Sequence, residues 1–303
     1  MTMPFVHEWR ALGVLCRVVS TSPRDTVAIE ARVAEWEQAL SRFRPNSDLS
    51  QLNRQRRAHV SATLQQVLLV ALEVAQWSQG LVVPSLGQHI ADIGYDRSFA
   101  TIAPVDDTPI DASIVPDWRG IVVRGRDVTL PPQLQLDLAG VAKGWIAEQL
   151  VALFTPPGGA FLAQIGGDVA VSAPSNRAPW CIAVDHPLQA TPCGHIALFE
   201  GTVATSSTYE RRWQRAGQTI HHIIDPRSGL PAQSDVLTAS VIATQAIYAE
   251  AAAKIIVLLG RAAGLAWVSR YGLPALVIDQ SGDVHTNDAW VPFIWPEGAS
   301  TNV

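Results

Sequence analysis

The stretch of sequence that decides the fold is GTVATSSTYERRWQRAGQTIHHIIDPRSGLP, at residues 201–231. It places two histidines, His221 and His222, shortly before the carboxylate of Asp225 and the guanidinium of Arg227. Histidine takes up and releases a proton near neutral pH, which makes it a candidate general base. Asp225 precedes a proline, and the Ser-Gly pair that follows is typical of a turn. The residues alone allow two interpretations: an ordinary polar hairpin, or a loop that gathers three reactive groups.

The composition of the 303-residue chain is that of a folded globular protein, with 48% hydrophobic and 16% charged residues. Its length suits one large domain or two intimate ones. The net charge of −5 gives no electrostatic basis for binding nucleic acid or an anionic membrane, so we expect neither partner. No apolar run reaches the roughly 18 residues that a membrane-spanning helix needs.

Two features predict a cytoplasmic location. The three cysteines, Cys16, Cys181 and Cys193, form neither a CxxC pair nor a metal-binding spacing, and a sparse, odd count fits a reducing compartment. The first residues, MTMPFVHEWRALGV, show no basic segment followed by an apolar one and no lipid-attachment cysteine.

Hydrophobic periodicity and turn residues predict an α+β fold. Helices are predicted over residues 26–43, 60–79, 143–154, 245–260 and 262–270. Strands are predicted over residues 12–20, 160–172, 180–185, 195–199, 236–243, 276–279 and 283–286, with a hairpin at 118–130 and a short strand that ends at Asp137. Residues 97–117, rich in Pro, Asp and Thr, predict a surface loop. The elements lack regular βαβ spacing, and no GxGxxG or Walker motif indicates a usual nucleotide-binding fold.

The central stretch resembles a signature of the ApbE family of flavin transferases, T-S-G-x-Y-E-R followed by H-H-I-x-D-P-x-T-G. The first part reads here Thr205-Ser206-Ser207-Thr208-Tyr209-Glu210-Arg211, and the second reads His221-His222-Ile223-Ile224-Asp225-Pro226-Arg227-Ser228-Gly229. Ser207 stands where the family usually has Gly, and Ser228 where it usually has Thr. Both changes are mild.

Other segments match the family in the same order along the chain. Residues 41–53, SRFRPNSDLSQLN, are similar to S-x-[YF]-x-P-x-S-x-L-S-x-L-N. Residues 137–145, DLAGVAKGW, resemble D-L-G-G-I-A-K-G-[YF], and AFLAQIGGDVAVS at 160–172 resembles the family's Gly-Gly strand. At GLVVP, residues 80–84, Val82 and Val83 replace an aromatic residue and an Asp, so only a backbone contact to a cofactor is expected there.

The resemblance implies an FAD:protein FMN transferase, which cleaves the diphosphate of FAD and moves FMN through a phosphoester bond to a Thr or Ser of an acceptor protein. It implies mixed sheets with packed helices, a flavin in a cleft between two lobes, and one domain over residues 1–303. Within this reading His222 is the general base and Asp225 orients it. The resemblance places these residues at the cofactor: Leu12, Phe43, Asn53, Leu81, Val82, Val83, Asp137, Lys143, Gly166, Gly167, Thr205, Ser206 and Ile224.

Physical reasoning leaves alternatives open for several of these residues. Lys143 near a helix N-terminus favours an anion such as pyrophosphate, but a buried ion pair with Asp137 explains the same residues. Phe43 faces either a flavin or the core, and Asn53 lies either near the cofactor or at a helix cap. The Gly166–Gly167 pair lets a flat ring approach the backbone, or it is a bulge without a ligand.

The metal site that the resemblance implies is altered in this chain. The family's A-D-A-x-x-T-A helix supplies two side chains that bind Mg²⁺ with a main-chain oxygen, and these positions are Glu250, Lys254 and Gly140. Protonated Lys254 is no metal ligand, and Glu–Lys at i, i+4 is a helix ion pair. Binding of Mg²⁺ is therefore left open. Two rival functions remain: a non-catalytic FAD-binding homologue, and an FAD pyrophosphate hydrolase in which water replaces the acceptor hydroxyl.

Overall fold

Helices and strands are interspersed along the chain. The computed structural model describes residues 4–102, 105–110 and 113–296. The strands among these residues are β1 Phe5–Ala11, β2 Val14–Ser20, β3 Arg57–His59, β4 Val105–Asp106, β5 Val122–Arg124, β6 Asp127–Thr129, β7 Phe161–Ile165, β8 Asp168–Ser172, β9 Trp180–Val184, β10 Gly194–Leu198, β11 Glu200–Ser207, β12 Arg212–Arg215, β13 Gln218–His221, β14 Ile224–Asp225, β15 Leu230–Pro231, β16 Val236–Ala243, β17 Ala275–Asp279 and β18 Val284–Thr286. The α-helices are α1 Thr26–Leu40, α2 Asp48–Gln55, α3 Ala62–Trp77, α4 Gly87–Asp92, α5 Ala142–Phe154, α6 Ala246–Leu259 and α7 Arg261–Arg270. This mixture confirms the predicted α+β class.

The chain folds into two compact units. Over the described residues, unit 1 is formed by the chain up to Ala31, by Lys143–Tyr209 and by the chain from Ser234 onward. Unit 2 is formed by Arg32–Ala142 and Glu210–Gln233. Neither unit is a continuous segment, because the chain leaves unit 1 twice and returns to it each time.

Unit 1 is built on one eight-stranded sheet. The strand order is β1-β2-β7-β8-β11-β16-β17-β18, and each neighbouring pair is antiparallel. On one face Ala204 and Ala243 pack with Ala249 of α6. On the other face Val203 and Ile242 join a core with side chains of β9 and β10. All eight residues of β16 are buried because both faces of the sheet are covered.

The strand predicted over residues 12–20 begins with a turn instead. Ala11 pairs with Val14, so Leu12 and Gly13 are the two central residues of a hairpin between β1 and β2. Both have positive φ, 57° and 70°, as a type I′ turn requires. The predicted start was wrong because positive φ is uncommon for a residue with a side chain such as Leu12.

The strand predicted over residues 160–172 is two strands joined by the Gly166–Gly167 turn. Gly166 has a φ of 62°. A Cβ added to Gly166 would lie 3.2 Å from Cγ1 of Val14, and one added to Gly167 would lie 3.1 Å from the carbonyl oxygen of Thr205. This close packing accounts for both glycines without a ligand, and a flavin ring at the turn stays a prediction.

Unit 2 has a smaller core, which joins Ile93, Tyr95, Trp213, Ile220 and Ile224. Its sheets have the orders β3-β6-β5 and β13-β12-β4, with a separate β14–β15 pair. Strand β4 lies in the segment predicted as a surface loop and pairs in parallel with β12. The loop prediction was wrong there because a strand of two residues is too short to show the alternation of polar and apolar residues that predicts a strand. Positions 103–104 and 111–112 of that loop lie outside the described residues.

The segment before Asp137 is not a strand, although its leucines alternate. The three leucines within residues 134–138 are buried, which has the period of a strand. The backbone N–H of Asp137 donates to the carbonyl of Pro84 at 2.9 Å, and that of Leu136 donates to Oδ1 of Asn53 at 2.8 Å. The prediction was wrong because alternating leucines indicate which side chains are buried, but not whether the backbone pairs with another strand.

Gly264 lies inside α7 because α6 passes close to it. A Cβ at this position would lie 2.6 Å from Cα of Ile256. We expect Gly264→Ala to lower the free energy of unfolding by about 1–3 kcal/mol. Alanine has the higher helix propensity, but the steric cost of the added Cβ is larger than that gain. Urea unfolding measures this change. The control is Gly194→Ala, where an added Cβ meets no atom within 4 Å. Equal midpoints for the two variants would contradict the close helix contact.

Candidate active site

Four charged side chains of unit 1 form a buried group, called here the charge cluster: Lys143, Asp168, Glu250 and Lys254. Lys143 is the second residue of α5, and Asp168 begins β8 directly after the Gly-Gly turn. Glu250 and Lys254 lie one turn apart on α6. Three elements therefore bring two ammonium groups and two carboxylates together.

The two ammonium groups converge on one carboxylate oxygen. Nζ of Lys143 lies 3.1 Å from Oε1 of Glu250, and Nζ of Lys254 lies 3.0 Å from the same atom. Lys143 also donates to Oδ2 of Asp168. The predicted Glu250–Lys254 pair is confirmed. The alternative ion pair of Lys143 with Asp137 is wrong, because Lys143 pairs with Asp168 and Glu250, while Asp137 pairs with Arg42.

Burial and charge act against each other in this cluster. Burial alone would lower the pKa of Lys143, but the two carboxylates outweigh it and raise that pKa. Burial would raise the pKa of Glu250, but Lys143 and Lys254 outweigh it and hold that pKa below its usual value. For Asp168 burial prevails over Lys143, so its pKa is raised. Its Oδ1 is buried and accepts no hydrogen bond from the described residues.

The residues at the predicted metal position do not fit Mg²⁺. Oε1 of Glu250 accepts from two ammonium groups, and Oε2 accepts from the backbone N–H of Gly144 at 3.1 Å. Gly140 lies in the turn that precedes α5. Among residues 4–102, 105–110 and 113–296, no group of three His, Cys, Asp or Glu side chains is arranged to hold a metal ion. Three hydrogen-bond donors, two of them ammonium groups, already occupy the carboxylate of Glu250, so it does not offer the free oxygen ligands that Mg²⁺ needs.

Thr205 and Ser206 lie near the end of β11 in unit 1. Thr205 is paired with Ser240 across the sheet, and their hydroxyl oxygens lie 2.8 Å apart. Ser206 is buried. A cross-strand hydroxyl pair is a stabilising contact on its own, and the predicted flavin contact of both residues stays a prediction.

The two adjacent histidines of unit 2 have different environments. His221 donates from Nε2 to the carbonyl of Ala232 at 2.9 Å and accepts at Nδ1 from the N–H of Ile223 at 3.2 Å. Both ring nitrogens are used by the backbone, so His221 is a neutral structural clamp. His222 lies edge-on to Tyr95, with ring centroids 6.4 Å apart at 89°. The bonds of His221 make it poorly suited to act as a base, and His222 as the general base stays a prediction.

His221 gives the stability of the protein a pH dependence with a defined sign. Burial lowers the pKa of its ring below the ordinary 6.5, although the bond to Ala232 opposes this. A depressed folded pKa means that the stabilisation is present above 6.5 and is lost as pH falls through the folded pKa. We expect wild type to lose stability relative to His221→Gln over this range, at no more than about 1.4 kcal/mol per pH unit.

Urea unfolding of both proteins at pH values from about 7 down to 5 measures this difference. A difference between wild type and His221→Gln that stays constant with pH would contradict the neutral clamp. His59, exposed in its side chain, offers the matched control His59→Gln, whose stability should follow wild type.

Asp225 and Arg227 fix the predicted turn. Oδ1 and Oδ2 of Asp225 accept from the guanidinium of Arg227 at 2.8 and 2.6 Å, and Oδ1 also accepts from the Arg227 N–H at 2.9 Å. The carbonyl of Asp225 accepts from the N–H of Gly229 at 2.8 Å. Burial would raise the pKa of Asp225, and Arg227 outweighs it and lowers that pKa. Orientation of His222 by Asp225 stays a prediction. Ile224 is buried in the core of unit 2, and its predicted cofactor contact stays a prediction.

An arginine that the sequence did not single out lies among aromatic rings in unit 2. The guanidinium of Arg42 lies 4.1 Å from the ring centroid of Phe43 and 4.8 Å from that of Tyr95. Its Nε lies 2.6 Å from Oδ2 of Asp137. Phe43 is 39% exposed, which excludes the alternative that it is a core residue. The group presents a flat, cationic and aromatic surface of the kind on which ring systems stack.

Asn53 holds the backbone of a neighbouring segment. Its Nδ2 donates to the carbonyl of Leu136 at 2.9 Å, and its Oδ1 accepts from the N–H of Leu136. Asn53 lies inside α2, whose N-cap is Ser47, so the alternative of a cap is excluded. A cavity of about 300 Å³ in unit 2 is lined by Asn53 together with Arg42 and Asp96.

The loop of Leu81, Val82 and Val83 follows α3. Val82 is buried, and Leu81 and Val83 are half-buried. The hydroxyl of Ser78 accepts from the N–H of Val82 at 3.0 Å and lies 3.3 Å from its carbonyl oxygen. The backbone N–H and carbonyl of Val82 thus have a hydrogen-bond partner in Ser78. The predicted cofactor contact of this loop stays a prediction.

Sequence reasoning missed Arg42, Tyr95 and Asp168. Asp168 follows the Gly-Gly pair at a fixed place in the motif, and that position was the available signal. Arg42 occupies a variable place inside the 41–53 motif, and Tyr95 lies outside every motif. Their roles arise from contacts that are distant in sequence, so no local pattern indicates them.

Unit 1, with its antiparallel sheet and charge cluster, and unit 2, with its histidine turn and aromatic surface, define an α+β protein with candidate anion-binding and base residues. The ApbE family model matches residues 12–277, so the chain belongs to the ApbE family. The FAD:protein FMN transferase of Treponema pallidum is 31% identical over 300 residues, covering 88% of this chain and 82% of that protein. The enzyme of that name from Vibrio cholerae is 25% identical over 281 residues, covering 88% and 83%.

Solved structures of the family share this fold. The ApbE protein of Thermotoga maritima superposes with a TM-score of 0.84 at 21% identity, covering 97% of this chain and 100% of that chain. The flavin transferase ApbE of Vibrio cholerae superposes with a TM-score of 0.74 at 20% identity, covering 96% and 99%. The predicted family fold is therefore confirmed. In the described part of the chain, no helix is long and apolar enough to cross a membrane.

Proposed function

We propose that the protein is an FAD:protein FMN transferase. The observation that carries this proposal is the 31% identity over 88% of the chain to a protein of that name. The match of the family model over residues 12–277, which includes residues of both units, supports it. For the same reason we propose that the two units act as one functional domain.

The proposed reaction is attack by a Thr or Ser hydroxyl of an acceptor protein on the FMN phosphorus of FAD. The acceptor oxygen forms a bond to phosphorus, the bond from that phosphorus to the bridging oxygen breaks, and AMP leaves with that oxygen. His222 takes the proton of the hydroxyl as general base. Phosphoryl transfer otherwise depends on positioning and on neutralising the diphosphate charge. Lys143, at the N-terminal end of α5, is the residue of unit 1 proposed for that task.

Asp225 is proposed as a positioning residue. It holds the turn after His222 through the Arg227 guanidinium and the N–H of Gly229. The exposed ring of Phe43 beside Arg42 supports its proposed contact with the flavin. For the other proposed cofactor contacts the motif positions are the support. These are Leu12, Asn53, Leu81, Val82, Val83, Asp137, Gly166, Gly167, Thr205, Ser206 and Ile224.

A reducing compartment such as the cytoplasm is proposed as the location. The support is that Cys16, Cys181 and Cys193 are free thiols, and disulfides are rare in that compartment.

The occupied carboxylate of Glu250 also favours a second candidate, a flavin-binding homologue without transferase activity. One experiment separates the candidates. Purified protein is mixed with FAD and Thr- or Ser-containing acceptor peptides, with AMP followed by chromatography and peptide mass by mass spectrometry. AMP with an FMN-modified peptide supports the transferase. AMP with free FMN indicates a hydrolase, and bound, intact FAD indicates the non-catalytic homologue.

A further inference from the structure

The two lysines of the charge cluster are the only lysines in the 303-residue sequence, which has 22 Lys and Arg residues in all. Both place an ammonium group within 3.1 Å of one oxygen atom, Oε1 of Glu250. All the other residues in that count are arginines. A lysine is a compact point charge, whereas arginine is a planar fork suited to bidentate pairing. Both of the compact positive charges that the sequence supplies therefore lie in this cluster.

The charge of this lysine pair equals that of a divalent cation. Glu250 carries the carboxylate that the family resemblance assigns to a metal, and it is 1% exposed. A metal ion on Oε1 would have to displace at least one ammonium group, because like charges at such short range repel strongly in a buried site. The lysine pair and a bound divalent ion are thus mutually exclusive occupants of this oxygen.

Three observations orient the cluster toward an anionic ligand. The side chains of Lys143 and Lys254 keep 23% and 19% exposure, while the carboxylates behind them are buried. Two hydrogen bonds of Lys143 go to Asp168 and Glu250, and an ammonium group has three donors. Lys143 also lies in the first turn of α5, a 13-residue helix whose N-terminal dipole favours anions.

Asp168 indicates that the cluster is not complete by itself. Its Oδ1 is buried with no hydrogen-bond partner among the described residues, although Asp168 is 1% exposed. Buried polar atoms without a partner are rare and indicate a missing group such as a ligand donor or water. This oxygen is an acceptor, so its missing partner is a donor such as an ordered water or a ligand hydroxyl, and not a diphosphate oxygen.

We propose that Lys143 and Lys254 act as a built-in pair of counter-cations that binds the diphosphate of FAD in place of a divalent metal. This proposal rests on the proposed function, since it takes FAD as the substrate. Its consequence is that neither FAD binding nor transfer requires Mg²⁺.

The first test uses the wild-type protein. Binding of Mn²⁺ is followed by electron paramagnetic resonance, and FAD binding by isothermal titration with either Mg²⁺ or EDTA. We expect no bound Mn²⁺ at millimolar concentration and FAD dissociation constants that agree within about twofold. Bound Mn²⁺, or FAD affinity that falls tenfold or more in EDTA, about 1.4 kcal/mol, would overturn the proposal.

The second test follows the lysines directly. Protein labelled with ¹⁵N-lysine carries two side-chain Nζ positions, so each signal reports on the cluster. We expect both signals to shift on addition of FAD in EDTA. FAD that binds while both signals stay unchanged would show that the cluster is a structural ion group and not a ligand site.

The third test compares variants that are checked for native circular dichroism. Lys254→Met should weaken FAD binding about tenfold or more, without rescue by Mg²⁺. Lys254→Thr should bind Mn²⁺ and regain FAD affinity with Mg²⁺. Arg270→Met, which removes an exposed positive charge at the end of α7, should bind FAD like wild type. Unchanged affinity of a folded Lys254→Met protein would contradict the proposal.

The outcomes separate this inference from the proposed function. FAD binding in EDTA with shifted lysine signals but no transfer to acceptor peptides would leave the inference standing and defeat the transferase. Transfer that depends on Mg²⁺ would support the transferase and overturn the inference. Absence of FAD binding under every condition would defeat both.

Discussion

Replacement of His222 by alanine is expected to reduce the rate of FMN transfer by about 10² to 10⁴-fold, the usual contribution of a general base. The dissociation constant of FAD should stay within about threefold, because the base acts on the acceptor hydroxyl and contributes little to ground-state binding. Single-turnover transfer and isothermal titration measure the two quantities. A second signature is the pH profile of transfer, whose acidic limb should disappear in the variant.

The adjacent histidine supplies the control. His221 is held by two backbone groups, so His221→Ala leaves a buried carbonyl and N–H without partners and should cost about 1–3 kcal/mol of stability. Its folded fraction should keep a wild-type rate. If His222→Ala lost FAD binding and turnover equally, His222 would be a binding residue. A larger loss of rate in His221→Ala would assign the base to His221.

Replacement of Lys143 by methionine is expected to lower the free energy of unfolding by about 3–5 kcal/mol at neutral pH. The variant removes the cation that contacts both Asp168 and Glu250, each 1% exposed. A buried carboxylate without its counter-charge keeps the full desolvation cost. Urea unfolding at neutral pH measures the loss.

The sign of the pH dependence follows from Glu250. Its folded pKa lies below the ordinary 4.5, with Lys143 as a cause, so its stabilisation is present above 4.5 and is lost as pH falls through the folded pKa. The difference between wild type and Lys143→Met should therefore be largest at neutral pH and shrink below 4.5.

Two comparisons check whether the loss of stability in Lys143→Met arises from the charges of the cluster. Lys254→Met should lose less stability, because Lys143 still pairs with both carboxylates. The double variant Lys143→Met with Asp168→Asn should recover part of the loss, since it removes one uncompensated charge. A double variant no more stable than Lys143→Met would indicate that the loss arises from packing and not from charge.

The sequence by itself determined the features that depend on near neighbours. Ser47 and Asp48 are both residue types that cap a following helical turn, and Ser47 is the one that caps α2, through the N–H of Ser50. The turn from Asp225 to Gly229 and the Glu250–Lys254 pair also follow from spacing within a few residues. The ordered motifs were specific enough to indicate the family, because several of them recur in one chain.

Only the tertiary structure decided which distant groups meet. Lys143 and Glu250 are 107 residues apart in sequence, and the packing of α5 and α6 in unit 1 brings them together with Asp168. The same holds in unit 2, where the contact of Arg42 with Asp137 and the bonds of His221 to the backbone depend on loop packing. Local patterns fix backbone conformation and burial, whereas the partner of a charged side chain is fixed by packing between distant segments. For this reason the sequence predicted a lysine at an anion site, and the fold gave it two buried carboxylates.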